Sequence, residues 1–144
     1  MENTRNYYYS IDLGTTNSVM AYANMTGRGI RPVVLDIDRK NAAGSRSRDK
    51  LLPSVVFYYK DNQGHMQPEV GDYAKSRYGT KYGYVCKSVK SLMGTSDCVE
   101  LNTDIPDQTP AQVSSRILAH MLSSAKKRMF QEDISDVIIT VPAS

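Results

Sequence analysis

Residues 12–18 have the types that a phosphate-binding turn needs. Gly14 lets the backbone approach a ligand because it has no Cβ atom, and successive backbone N–H groups at such a turn can bind an anion. The Asp12 carboxylate can hold hydrated Mg²⁺ or K⁺, or orient a water. Three hydroxyl residues add donors, namely Thr15, Thr16 and Ser18. Phosphoryl transfer depends mostly on such positioning and charge, although an ordinary hairpin turn uses the same residue types.

Lys90 is a second candidate for phosphate chemistry, because apolar residues lie on either side of it at Val89 and Leu92. A lysine in this setting can reach a γ-phosphate or an attacking water as a point charge. The alternative is a solvated surface lysine, which is the commoner case for this residue type.

Other catalytic signatures are missing from the sequence. It contains no Walker A pattern and no Gly-x-Gly-x-x-Gly after a predicted strand. His65 falls in a predicted turn and His120 in a predicted helix, and a packing or solvated role is expected for His120. Cys86 and Cys98 are too few and too far apart for a disulfide framework or a zinc site.

The composition predicts one globular domain without a membrane or nucleic-acid partner. The chain has 144 residues, of which 40% are hydrophobic and 23% charged, and its net charge is +3. This charge is too small for a strong nucleic-acid field, and no uncharged apolar run approaches the roughly 20 residues that span a bilayer. No secretory signal is recognised. Because the two cysteines form no disulfide framework, a reduced cytoplasmic location is expected. The densest basic stretch, within residues 38–50, is interpreted as a solvated loop.

Alternating and β-branched residues predict an antiparallel three-stranded start at residues 7–13, 17–23 and 31–36. Further strands are predicted at 54–59 and 66–70, separated by a turn at 61–64, and helical composition is seen at 72–78. The segment 38–50 is predicted to be a loop.

The clearest helix begins after Thr109, where Pro110 and Gln112 complete a capping box. Its apolar stripe, at helical spacing, is expected to pack on the first strands. The stripe consists of Val113, Ile117, Leu118, Met121, Leu122, Ala125 and Met129. Residues 137–141 then form a strand with almost no polar face, as expected for a strand covered on both faces. Such a strand usually feeds a further element, so we expect the domain to continue beyond Ser144.

Six patches of this chain occur in the same order as in the ATPase domain of DnaK-type heat-shock chaperones, and together they resemble that family. They are residues 11–18, 52–56, 70–75, 90–94, 109–118 and 137–143. The resemblance implies an actin-like, ribonuclease-H-like ATPase fold of the α/β class. It also implies that residues 1–144 are the amino-terminal part of a nucleotide-binding domain belonging to a stress-response chaperone.

The resemblance also implies site roles and ligands. Asp12 would bind the hydrated cation cluster, which is Mg²⁺ with or without K⁺. Thr15 would lie by the γ-phosphate of ATP, and Lys90 would be essential for hydrolysis. The phosphates of ATP or ADP would contact Gly14, Thr15, Thr16 and Asn17. Unfolded peptide and co-chaperones would be partners of the whole protein. In that family the nucleotide lies between two lobes, so residues 1–144 alone are expected to bind ATP weakly and to be inactive.

Two departures from the family pattern and two alternatives are noted. The segment 38–50 is longer than the usual turn, and the stretch between Gly94 and Thr109 is shorter than usual. A sugar kinase of the glycerol-kinase type shares the motif at residues 12–16. A non-catalytic interaction module is the other alternative. Apolar surface left by missing covering elements is expected to favour self-association.

Overall fold

The described part of the chain consists of short strands and one long helix. The computed structural model describes residues 7–24, 31–41, 43–71, 83–87, 106–107 and 109–141, with 83–87 described by its backbone alone. The strands are β1 Tyr7–Leu13, β2 Asn17–Asn24, β3 Pro32–Val34, β4 Ile37–Lys40, β5 Arg46–Asp49, β6 Leu52–Pro53, β7 Val55–Lys60, β8 Met66–Val70, β9 Gly83–Lys87 and β10 Val137–Thr140. The helix is α1, Pro110–Met129. No helix among these residues is long and apolar enough to cross a bilayer.

The main sheet is mixed and has the order β10-β1-β2-β3, with β6 also paired to β2. The pairs β1–β2 and β2–β3 are antiparallel, whereas β10 lies parallel to β1. Along β1, Tyr9, Ile11 and Leu13 are buried and the residues between them are exposed, as the two-residue period of a strand requires. The predicted antiparallel start is therefore confirmed, with β3 shorter than expected.

Helix α1 covers the core with the predicted stripe. Val113, Ile117 and Met121 are buried in the same apolar cluster as the inward side chains of β1. Leu118 and Leu122 lie at its margin and are partly buried. The capping box is present, because the Thr109 hydroxyl accepts from the backbone N–H of Gln112 and the Gln112 side chain accepts from that of Thr109. Helix start and apolar face are both confirmed, but the helix packs mainly against β4, β7 and β8 rather than against the first strands, where packing was expected.

The prediction of a loop at residues 38–50 is wrong, because this segment forms the antiparallel hairpin β4–β5. Its turn is closed by Asn41, whose side-chain oxygen accepts from the backbone N–H groups of Ala43 and Ser45. Gly44 supplies the left-handed backbone, with φ of 87°. The strands lack the apolar alternation that usually marks a strand, and ion pairs such as Arg39–Asp49 at 3.2 Å link them instead.

The second sheet has the order β8-β7-β9 and contains the predicted turn at residues 61–64. The Asp61 carboxylate accepts from the backbone N–H groups of Gln63 and His65. These bonds, that from His65 foremost, lower the pKa of Asp61. The helix predicted at residues 72–78 lies outside the described residues.

The prediction that residues 137–141 are covered on both faces is wrong for the part of the chain that the structure describes. Strand β10 contacts β1 along one edge, but Ile138 and Ile139 are 68% and 46% exposed. Val141 is exposed as well. The reason is that α1 packs mainly against β4, β7 and β8, and these three side chains stay about half or more exposed.

Candidate functional site

The candidate site is the turn between β1 and β2, here called the Gly14 loop and comprising residues Gly14–Thr16. Thr15 and Thr16 are exposed, and the helix does not cover the turn. Within the described part of the chain, their backbone N–H groups donate to no other backbone carbonyl. Two adjacent donors are thus available to an anion in solvent, as a phosphate nest requires.

A short strand supports the Gly14 loop from behind. Strand β6 pairs with the start of β2, so that Pro53 lies opposite Asn17. The backbone N–H of Ser54 donates to the Thr16 carbonyl at 2.9 Å. This bond fixes the Thr16 carbonyl on the side of Ser54 and anchors the loop there. This contact explains why residues 52–54 matter to a site distant from them in sequence.

Gly14 is required by close packing of the backbone. A Cβ atom added to Gly14 would overlap the carbonyl oxygen of Asn17, which is a backbone atom and cannot rotate away. The turn can therefore close this tightly only around a glycine.

We expect Gly14→Ala to lower the free energy of unfolding by about 3 kcal/mol, because the backbone must shift to admit the methyl group. Gly64→Ala is the matched control, since Gly64 has φ of 81° but no atom near the added Cβ. The control should cost about 1 kcal/mol, from its left-handed backbone alone. Urea unfolding of both variants measures the difference, and equal losses would contradict the packing argument.

Ser18 is not available as a hydroxyl donor for phosphate, which corrects the sequence-based expectation. It is fully buried, and its hydroxyl lies 2.8 Å from the hydroxyl of Ser54. The physical reason is the strand period: Ser18 is the cross-strand partner of Leu13, and both side chains point into the core.

Asp12 lies at the carboxyl end of β1, beside the Gly14 loop, and its side chain is exposed. The hydroxyl of Thr140 donates to its Oδ1 at 3.1 Å. Sequence reasoning gave Thr140 no role in the site. Thr140 lies at the carboxyl end of β10, which is parallel to β1. The carboxyl ends of parallel strands meet at one edge of a sheet, and this position could have indicated that Thr140 belongs to the site.

The residues present fit a hydrated divalent cation held next to a phosphate. Mg²⁺ usually keeps several waters and is bound by one or two carboxylates together with phosphate oxygens. Asp12 can supply one such carboxylate, and no group of three or more acidic, histidine or cysteine side chains able to hold a metal occurs among the described residues. Asn17 is half-buried at the start of β2. Lys90 lies outside the described residues.

His120 has the structural role that was expected for it. Its Nε2 lies 2.6 Å from the backbone carbonyl of Asp38, which ties α1 to β4. His65 is exposed beside the turn at residues 61–64. Neither histidine lies near the Gly14 loop in the sheet topology, so the site's chemistry comes from carboxylate, hydroxyl and backbone groups.

Comparison with known sequences decides the family. The sequence profile described as Hsp70 protein matches residues 9–144. The chain belongs to the Hsp70 family. Its actin-like ATPase fold class follows from this membership, and the predicted resemblance to DnaK-type chaperones is confirmed.

Curated relatives of this Hsp70-family chain carry the name chaperone protein DnaK. The protein from Mycoplasmoides gallisepticum is 37% identical over 145 residues, covering 99% of this chain and 21% of the relative. That from Mesomycoplasma hyopneumoniae strain 232 is 38% identical over 133 residues, covering 92% and 19%. That from Ureaplasma urealyticum is 34% identical over 140 residues, covering 97% and 20%. The chain spans about a fifth of the length of these relatives.

Proposed function

We propose that residues 1–144 are the amino-terminal part of the nucleotide-binding domain of an ATP-dependent chaperone and supply its first phosphate-binding loop. One observation carries the proposal: the amides of the exposed residues Thr15 and Thr16, which are unpaired among the described residues, lie beside the exposed carboxylate of Asp12. Family membership supports it, because the matched residues 9–144 include this loop. A glycerol-kinase-type enzyme shares only the loop motif and has less support.

Each residue of the site has a role in this proposal. The amides and hydroxyls of Thr15 and Thr16 bind phosphate oxygens, with Thr15 at the γ-phosphate, and Asn17 contacts the phosphates from the start of β2. Asp12 orients waters of the bound cation, and Thr140 holds the Asp12 carboxylate in place. Bound Mg²⁺, with K⁺ as a possible companion, neutralises charge on the phosphates.

The partners of the whole protein follow from the same proposal. ATP and ADP bind between this lobe and a second one, and hydrolysis drives closure on unfolded peptide with the help of co-chaperones. Such a protein works in the cytoplasm and belongs to the stress response. Lys90 directs its charge toward the γ-phosphate or the attacking water.

Residues 1–144 alone are expected to bind Mg²⁺–ATP more weakly than micromolar, because contacts from the second lobe are absent. In ¹⁵N-labelled protein, the titration should shift the amide signals of Gly14, Thr15 and Thr16. The turn at residues 61–64 serves as the internal control and should not shift. Unchanged loop signals at millimolar nucleotide would contradict the proposed site, whereas micromolar affinity by calorimetry would contradict only the two-lobe argument.

The isolated chain is also proposed to self-associate through the outer side of β10. Ile138 lies on one face of this edge strand and Ile139 and Val141 lie on the other, so exposed apolar side chains flank its outer edge and promote association. Light scattering should show dimers or larger species at high micromolar concentration. Ile138→Lys should shift the protein toward monomer, and Leu51→Lys, at another exposed apolar residue, should not. A monomer at every concentration would contradict this proposal.

A further inference from the structure

The β4–β5 hairpin has one covered edge and one open edge. The bond from the Asn41 N–H to the Ser45 carbonyl places these two residues in a hydrogen-bonded pair. Because such pairs alternate along an antiparallel ladder, Asp38 and Arg48 form a pair whose backbone groups point away from each other. The same alternation directs the backbone N–H and C=O of Arg46 and Arg48 to the outer edge of β5.

Helix α1 covers the β4 edge. The backbone N–H of Asp38 donates to the Ser124 hydroxyl at 3.2 Å, and its carbonyl lies 2.6 Å from His120 Nε2. On the other edge, all four residues of β5 are exposed. Within the described residues, the outward backbone groups of Arg46 and Arg48 make no hydrogen bond. Among the described residues, strand β5 therefore presents a free edge of four residues, about 13 Å long.

Cations surround this edge. The hairpin and α1 line a cleft, here called the basic cleft, whose cations are Arg39, Lys40, Arg46, Arg48, Lys127 and Arg128. Its carboxylates are Asp38 and Glu69. Asp38 lies 3.4 Å from Arg128, 3.6 Å from Lys127 and 4.0 Å from Arg48.

The cleft keeps an excess of positive charge after these ion pairs are formed. Six cations face two lining carboxylates, and a third carboxylate, Asp49, pairs with Arg39 at 3.2 Å, so the cations exceed the carboxylates by three. Arg46 is exposed and forms no ion pair with another described residue. Arg46 and Arg48 are two residues apart and therefore point to one face of β5, where Lys40 and Asp38 are their cross-strand partners.

We propose that the free edge of β5 binds an acidic peptide segment, which adds to the hairpin as an extended third strand. Backbone hydrogen bonds to Arg46 and Arg48 would hold the peptide, and carboxylates at alternate positions would meet the two guanidinium groups. The cations of α1, Lys127 and Arg128, extend the positive electrostatic potential beyond β5. None of these residues belongs to the Gly14 loop, so this surface is independent of the proposed nucleotide site.

A peptide matches this surface better than a nucleic acid. Strand addition uses alternating N–H donors and C=O acceptors, and a phosphate backbone offers acceptors without amide donors. An acidic peptide needs only one carboxylate every second residue, which matches the spacing of Arg46 and Arg48.

The test uses the 144-residue chain and a fluorescent eight-residue peptide with alternating Glu and Thr. Fluorescence anisotropy at 0.15 M salt, where exposed charges more than about 8 Å apart are screened, measures the affinity. Arg46→Glu/Arg48→Glu should weaken binding at least about tenfold. The control Arg31→Glu/Lys60→Glu changes the net charge equally at exposed residues outside the cleft and should weaken binding no more than about twofold.

A second peptide separates strand addition from simple charge attraction. N-methylation of alternate amides keeps every carboxylate but removes the donors that pair with β5, and it should weaken binding about tenfold. If the double reversal does not fold by circular dichroism, Arg46→Gln replaces it, with a loss of about threefold expected.

Four outcomes would overturn the proposal. They are no saturable binding, equal losses in the cleft and control variants, unchanged binding of the N-methylated peptide, and tighter binding of a poly-dT oligonucleotide than of the peptide. The first means that the edge is not a binding surface. Equal losses in the two variants, or unchanged binding of the N-methylated peptide, would mean that the peptide is held by charge attraction without strand addition. Tighter binding of poly-dT would mean that the cleft binds nucleic acid.

Discussion

Asp107→Ala is expected to lower the free energy of unfolding by about 3 kcal/mol. Asp107 is 6% exposed and accepts from the Tyr58 hydroxyl at 2.7 Å. It also accepts from Arg116, at 2.7 Å from Nε and 3.2 Å from Nη2. The alanine variant leaves the guanidinium without this partner and removes an acceptor from a fully buried tyrosine.

The size of this effect is limited by solvent at one end of the network. The Arg116 side chain is 39% exposed, so water replaces part of the lost ion pair. Hydrogen bonding to Asp107 raises the pKa of Arg116. The guanidinium is charged at every accessible pH, as in any arginine. The larger part of the loss therefore comes from the buried bond to Tyr58.

Urea unfolding of a small set of variants checks this prediction. Asp107→Asn can still accept from Tyr58 and should cost about half as much as the alanine variant. Asp133→Ala removes an exposed carboxylate and should change the stability by less than about 0.5 kcal/mol. Equal stabilities of Asp107→Ala and Asp133→Ala would show that the network does not hold the helix start to β7.

Lys90→Ala, made in a longer protein that contains this chain and the second lobe, is expected to slow ATP hydrolysis by about 10²–10³-fold. The proposed role of Lys90 places its positive charge where negative charge develops in the transition state. Such a contact lowers the barrier more than it stabilises bound ATP. The affinity for ATP should therefore change by less than about tenfold.

Single-turnover hydrolysis and calorimetric ATP binding measure the two effects separately. Lys87→Ala is the control, because it removes the same charge three residues earlier in the chain, and both effects should be small. Equal losses of rate and affinity in Lys90→Ala would make Lys90 a ground-state binding residue. If neither the hydrolysis rate nor the ATP affinity falls, Lys90 is a solvated surface lysine.

Local signals were enough to predict much of this chain. Alternating burial along β1, the tight turn at Gly14 and the capping box at Thr109 each depend on residues close together in sequence. The order of the six patches was enough to predict the family, which the comparison confirms. Backbone sterics, strand period and helix capping act within a few residues, so sequence alone determined these features.

The tertiary structure decided which polar groups belong to the site. The Ser18 side chain points into the core and contacts Ser54, because the strand register places Ser18 opposite Leu13. Thr140 contacts Asp12 because β10 lies parallel to β1.

The hairpin β4–β5 likewise could not be predicted from the residue pattern. Its strands have no apolar period and are tied by ion pairs and by the contact of Asp38 with α1. Pairing of strands joins groups far apart in sequence, and the free energy of each pairing depends on the partner that is buried with it. Only the folded arrangement therefore separates the hydroxyls that face solvent from those that complete the core.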